Sequence, residues 1–581
     1  MNTNKIHTSQ ALIVGAGLAG ERAAIEIASA GFSVNIISLC PPRQSHSNAA
    51  QGGIQASLAN TEDGMGDTSL VHFIDTVKGS DWGADQDIVE MVCKEAPRLV
   101  LELDYWGATF SRTAEGKINQ RNFGGTSKPR CAYASDGTGH ILLNTLDSRV
   151  TSLSIPVFIR YQALSLIHDG IRALGITALN QRTGEVETFL ANVVILATGG
   201  AGRLYRETTN SLISYGDGQA IALETGLVPL GNPEAIQFHP TALVPTSILV
   251  TEGCRGDGGV LLDKNGYEFM WDYSPTKGNL ASRDVVSRSM MRHIKAGFGV
   301  HSPYGDHLWL DIKRLGEKHI RENLRDVDYL CRTFVGIDPT KEYIPVRPAQ
   351  HYTMFGIKTN KECEAYGLEH LFAIGEAACW DLHGFNRLGG NSLLETIASG
   401  YFAGRNALKY LGPKVQEYCV EAKIAQVKDE DRIYRLLNHN VGTSAVKILA
   451  EIQNTMTEYV GIFRNDEDMK TAFRLLQRIY VEKILDISVR TKEVKSNQEL
   501  SLALRLPGMA KMALCTIYSA LIRKESRGSH FREDYPTRDD KNCLYRTLAY
   551  FYPIAEEPTL HFEPIKIDRL PPGDRGYGEK A

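Results

Sequence analysis

The chain has 581 residues, 23% of them charged and 43% hydrophobic, with a net charge of −4. These are globular proportions that exclude a disordered, collagenous or coiled-coil chain, and at about 150 residues per domain they predict three to four domains. No basic excess favours a nucleic-acid partner, and no apolar run approaches the ~18 residues of a membrane span. The start, MNTNKIHTSQ, has no signal core and no twin arginine, so a cytoplasmic chain is expected. Ten cysteines without a CxxC or zinc-type spacing predict free thiols and no metal or cluster in this chain.

The first element is a short apolar strand at Ala11–Val14, followed by Gly15-Ala16-Gly17-Leu18-Ala19-Gly20, a helix over Glu21–Ala30 and a second strand at Ser33–Ile37. This is G-x-G-x-x-G in strand–turn–helix context, a dinucleotide site. Gly15 makes the turn, Gly17 admits a pyrophosphate and Gly20 lets the helix pack on the strand. Ser38 stands where an acidic ribose ligand is usual, so the fingerprint alone leaves FAD and NAD open. Two later strands favour FAD: Val193–Leu196, running into Ala197-Thr198-Gly199-Gly200, and Leu371–Ile374, running into Gly375-Glu376. Between them and the start lies Arg43-Gln44-Ser45-His46-Ser47-Asn48-Ala49-Ala50-Gln51-Gly52-Gly53. Its small residues allow close approach to a planar ring, and a neutral His46 is a competent nucleophile. The residues alone also allow a histidine in an ordinary polar loop.

This loop resembles the flavin-attachment loop of the flavoprotein subunits of succinate dehydrogenase and fumarate reductase. The resemblance continues through Gln237–Thr241, Thr251–Gly256, Ala281–Asp284, His351–Met354, Asn386–Leu393 and Glu525–Asp534. Several stretches (KGSDWG, ASRDVVSR, ACWDLHGFNRLGGNS) are similar to bacterial menaquinol-linked fumarate reductases. It implies FAD bound covalently through His46, with cofactor contacts from Gly15, Ala16, Gly17, Gly20, Ser38, Ser45, Ser47, Ala50, Gln51, Gly52, Gly53, Ala163, Thr198, Gly199, Asp217, His351, Tyr352, Glu376, Arg387, Asn391, Ser392 and Leu393. The chain departs from the family pattern at Asn48, usually small and apolar, and at Phe355, usually glycine. The second places a bulky side chain beside the flavin loop.

Fumarate and succinate each carry two carboxylates, which need fixed cations or strong donors when buried. His239, Arg255, Arg283, His351 and Arg387 can supply them, with Thr251 as a hydroxyl donor. The resemblance makes Arg283 the acid that protonates the substrate carbon. It makes Glu252 and Arg255 its relay to solvent, and His239 and His351 carboxylate donors.

The fold class is α/β, with a Rossmann-like FAD-binding domain at 1–245 and 355–420. An α+β capping domain at 246–354 carries Thr251, Arg255 and Arg283. A helical bundle spans 421–544, with Ile448, Ile452, Met456, Tyr459, Val460 and Phe463 on one apolar face. A proline-rich tail at 545–581 forms a small extended domain. The expected partners are an iron–sulfur subunit and a membrane cytochrome b or anchor with menaquinone, on the cytoplasmic face of the cell membrane. The charged loop Glu525–Asp540 and the helical region are the expected dock. A soluble aspartate-oxidase-like flavoenzyme, which lacks the attaching histidine, and a non-catalytic flavin-binding module are the alternatives.

Overall fold

The computed structural model describes residues 5–574 except 414, 416 and 418, so 575–581 of the expected tail lie outside it. The strand Ile6–Val14 lies at the centre of a seven-stranded sheet. Val34–Ser38 and Val186–Leu196 pair with it in parallel, Ala11 standing opposite both Val34 and Val193. Leu371–Ala373 pairs in parallel with Val186–Leu196, although 174 residues of chain lie between Leu196 and Leu371. Ala11, Leu12 and Ile13 are fully buried, as a strand covered on both faces requires. Because these strands run the same way, Gly15, Thr198 and Glu376, which follow their strands, and Ser38, which ends its own, lie at the carboxyl ends, where an open α/β sheet binds its ligand. A Cβ on Gly15 (φ +116°) would lie 2.2 Å from Ala197 O, and one on Gly20 would lie 2.0 Å from Gly15 O. Both glycines are therefore demanded by close backbone approach.

A four-stranded antiparallel sheet in the order Ile236–Leu243, Ile344–Thr353, Leu308–Asp311, Val260–Leu262 forms the cap, with the helix Arg283–His293 against it. The cap sheet thus begins ten residues before position 246, and His239 sits on a cap strand. Pairing between segments about a hundred residues apart leaves no local signal in the chain.

The helical region holds Val420–Asn438, Ala445–Tyr459, Asp466–Arg478 and Gln498–Ile522. Ile448, Ile452, Met456 and Val460 are fully buried on the predicted face. Gln498–Ile522 is long and apolar enough to cross a bilayer by length and composition, contrary to the sequence expectation. Its most apolar stretch is 83% buried inside the protein, as a core helix.

The tail joins the rest of the fold by sheet pairing: Tyr545–Tyr550 pairs with Leu230–Gly231 and carries Thr559–Pro564, completing a five-stranded sheet with Gly356–Lys358 and Ala378–Cys379. Pro553 and Pro558 lie between the two tail strands and Pro571 and Pro572 beyond them, while Pro564 is the last residue of its strand, opposite Tyr545. Phe355 does not stand against the flavin loop. It is fully buried in the apolar core shared by Leu230, Ile236 and the helical region.

Candidate active site

A cavity of about 1270 Å³ opens along the carboxyl end of the sheet and under the cap. Contacts give its order. Gly218 N donates to Thr198 Oγ1 (3.1 Å) beside Asp217, and Ala197 adjoins Gly15. Ser47 Oγ accepts from Leu18 N (3.3 Å), bringing the flavin loop onto the glycine turn. Asn210 Nδ2 lies 3.3 Å from His46 Nε2 and donates to His351 O at 2.7 Å, and the His351 and His239 rings are 4.8 Å apart. The cavity therefore runs from Asp217 past the glycine turn and His46 to a cluster of histidines and arginines.

It is lined by every predicted cofactor residue except Gly20 and Asn391, and by every predicted substrate or catalytic residue except Arg255. Gly20 is used in packing. Asn391 points away: its amide donates to Thr76 Oγ1 (3.1 Å), and its Oδ1 lies 3.0 Å from His72 Nε2. Asp217 lines the cavity while both its oxygens accept from Arg505.

At the cationic end, Arg283 donates through Nε to Glu252 Oε2 (2.8 Å) and through Nη1 to Gln237 Oε1 (3.3 Å). Gln237 in turn donates to Arg387 O (2.8 Å), tying the two arginine segments together. Glu252 also accepts from Gly124 N (2.6 Å). Burial alone would raise its carboxyl, but Arg283 and Arg255 outweigh that and hold it below the usual range. Burial, then Arg283, pushes Arg387 down; its Nε has no protein partner, and its guanidinium stands 4.3 Å from the Tyr352 ring centre. His239 and His351 are driven well below the usual imidazole range, by burial and then by Arg283 and by each other respectively. Both are neutral at pH 7, so each can donate a hydrogen bond and neither carries an acidic proton. Nδ1 of His239 accepts from Thr241 N (3.2 Å), leaving Nε2–H as the donor. Arg255 lies behind this shell. It donates to Asn279 O and leaves Nε and Nη2 buried without protein partners. The predicted relay thus has a direct first link, Arg283 to Glu252, while Glu252 and Arg255 are joined only through the backbone, Arg255 N donating to Glu252 O at 3.0 Å, and not through their side chains.

At the flavin loop, Ser211 N donates to His46 Nδ1 at 3.2 Å, so Nδ1 is the acceptor of the neutral ring and Nε2, 3.3 Å from Asn210 Nδ2, carries its proton. Burial, then Arg387, lowers His46 to about 4 and keeps it neutral. Asn48 lines the cavity, and its Oδ1 lies 2.9 Å from His140 Nδ1, which ties this departure to a neighbouring helix. Sequence reasoning missed Arg121, whose Nη2 donates to Gly52 O (2.6 Å) and Ser135 O (3.1 Å) and so holds the flavin loop. It lies in Asn119-Gln120-Arg121-Asn122-Phe123-Gly124-Gly125, an arginine beside glycines like Arg255 and Arg387. Asn210, Ser211 and Gln237 were also missed. A polar run just after the Thr198 turn was the signal for the first two.

The site fits FAD. The volume exceeds the ~300–1,000 Å³ of most small-ligand pockets, as a dinucleotide plus a dicarboxylate requires. The glycine turn closes against the backbone, and Ser45 Oγ and Gln51 Oε1 are buried without protein partners at the flavin loop.

Comparison with known proteins agrees. The FAD binding domain family matches residues 10–393, and the fumarate reductase flavoprotein C-terminal family matches 449–577. A fumarate reductase flavoprotein subunit of Helicobacter pylori is 43% identical over 99% of this chain and 88% of its own length. A succinate dehydrogenase flavoprotein subunit of Rickettsia bellii is 39% identical over 98% of each. A solved Escherichia coli quinol fumarate reductase flavoprotein superposes with a TM-score of 0.93 at 37% identity, covering 99% of this chain and all of that one. With its glycine turn, histidine loop and arginine–histidine cluster in one cavity, the chain belongs to the flavoprotein subunits of the fumarate reductase and succinate dehydrogenase family.

Proposed function

We propose that this chain interconverts fumarate and succinate using FAD attached through His46. The observation that carries the reading is the convergence of His239, His351, Arg283 and Arg387 on the cavity that the glycine turn and His46 line. FAD, when bound, accepts or supplies the hydride. Arg387 and the neutral His239 and His351 bind the two carboxylates, and Thr251 adds a hydroxyl. Arg283, oriented by Glu252 and Gln237, holds the proton that goes to the substrate carbon. The cap carries Thr251, Glu252 and Arg283 and excludes water when it sits over the site.

Electrons pass to an iron–sulfur subunit and on to a membrane anchor with menaquinone. In support, one solved relative is described as a quinol–fumarate reductase with menaquinol molecules. The apolar helix of this chain is committed to its own core, so membrane attachment is peripheral, on the cytoplasmic face. To test the attachment, the protein is precipitated with acid and the denatured chain examined for flavin fluorescence. Fluorescence should stay with the chain and be lost from it in His46→Ser. Flavin that washes wholly into the supernatant from the unmutated protein overturns the bond.

A further inference from the structure

The cavity's far end from the arginine–histidine cluster is built by a residue that does not line it. Arg505, on the core helix Gln498–Ile522, clamps Asp217 with Nε at 2.8 Å from Oδ1 and Nη2 at 3.0 Å from Oδ2. The pair is nearly buried, Arg505 8% and Asp217 16% exposed at the side chain, so solvent screens it little. The remaining nitrogen, Nη1, donates to Ser501 Oγ (2.8 Å), and that hydroxyl donates to Gln162 Oε1 (2.7 Å). Gln162 Nε2 returns a bond to Ser501 O (3.2 Å), and the guanidinium lies 4.9 Å from the Tyr215 ring centre. Asp217 and Gln162 both line the cavity, while Arg505 faces it only through them.

We propose that Arg505 is a positioning residue for the adenosine half of FAD, and that the helical region thereby sets how tightly the cofactor is held. This rests on the FAD reading above. A dinucleotide anchored at His46 with its pyrophosphate on the Gly15–Gly20 turn directs its adenosine toward Ala163 and Asp217. That half presents hydroxyl and amine donors, which a carboxylate and a carboxamide oxygen accept. A bidentate guanidinium fixes the plane of Asp217 and keeps it aimed, and the Ser501 link fixes Gln162 in the same stroke. Removing Arg505 leaves a nearly buried carboxylate unpaired and free to turn away.

The test uses the full chain carrying His46→Ser, so that retention is non-covalent, and follows FAD release on dilution by the return of flavin fluorescence. Arg505→Ala should speed release about tenfold or more, the size of coupling expected between contacting groups. Arg505→Lys, which restores charge without the fork, should fall between. Arg505→Ala with Asp217→Asn should be no faster than Arg505→Ala alone. Adenosine diphosphate, as a competing probe of the nucleotide end, should lose affinity in parallel, whereas succinate affinity should stay within about twofold, which general loosening of the fold would not allow. Should Arg505→Ala fail to fold, Arg505→Lys and Asp217→Asn carry the same comparison. Release within twofold of the His46→Ser parent, or strictly additive effects at 505 and 217, overturns the clamp. A parent that takes up no FAD overturns the FAD reading itself.

Discussion

Arg283 shows how a site residue is chosen by its neighbours. Its Nε is committed to Glu252 and one Nη to Gln237, leaving the other Nη group beside Gly389 at the cavity wall. The neutral state of His239 and His351 removes the usual proton donors at pH 7. Arg283→Ala and Arg283→Lys should therefore lower fumarate reduction by at least ~10²–10⁴-fold with FAD still bound. Dye-linked steady-state rates beside the flavin absorbance spectrum check this; a loss within about tenfold would move the acid role to another group. The principal arginines were legible because they lie in glycine-rich or motif-bearing segments. Arg255 was legible as a member of the cluster but not as one step removed, since only packing decides which guanidinium reaches the cavity.

The first helix, Leu18–Ser29, carries an anomaly at its start. Glu21 is fully buried against the cavity-bearing fold, and neither carboxyl oxygen has a hydrogen-bond partner. Burial, then Asp147, lifts it from the usual 4.5 to about 9. The unfolded chain releases this proton near 4.5, so between about 4.5 and 9 the native state holds the extra proton and stability falls as pH rises. By pH 7 the cost is on the order of 3 kcal/mol. Glu21→Gln keeps the shape without the ionisation. It should raise the thermal midpoint by several degrees at pH 8 and leave it nearly unchanged at pH 5. Unfolding scans at the two pH values decide, and equal shifts at both refute the assignment. Element type was readable here from the strand–glycine–helix pattern. The cost at Glu21 was not, because the charge is isolated only once neighbouring elements pack over it.

For the whole molecule, the expected dock is revised by burial. Glu525, Arg527, His530 and Arg532 are fully buried, with Glu525 bridging Arg523 and Arg527 and Arg532 paired to Asp534, so this first half of the loop is internal scaffold rather than a charged surface. The partner requirement stands on chemistry. The ten cysteines are buried and unpaired, and among the described residues they do not gather with other metal-ligating side chains into a group of three or more. The isolated chain should reduce fumarate with one-electron dyes and should not oxidise menaquinol; menaquinol oxidation by the single purified subunit would remove the need for partners.

By itself the sequence determined the nucleotide turn and the helical region, because each is written in neighbouring residues or a short motif, whereas His46 and the candidate cations were singled out by the resemblance of their motifs to a family. The tertiary structure alone decided that the cap begins at the strand bearing His239, that the proline-rich tail closes a sheet, that Phe355 is core and that Arg505 reaches Asp217. These depend on contacts between segments tens to hundreds of residues apart. Burial and hydrogen-bond satisfaction over the whole fold select such contacts, and no local pattern in the chain encodes them.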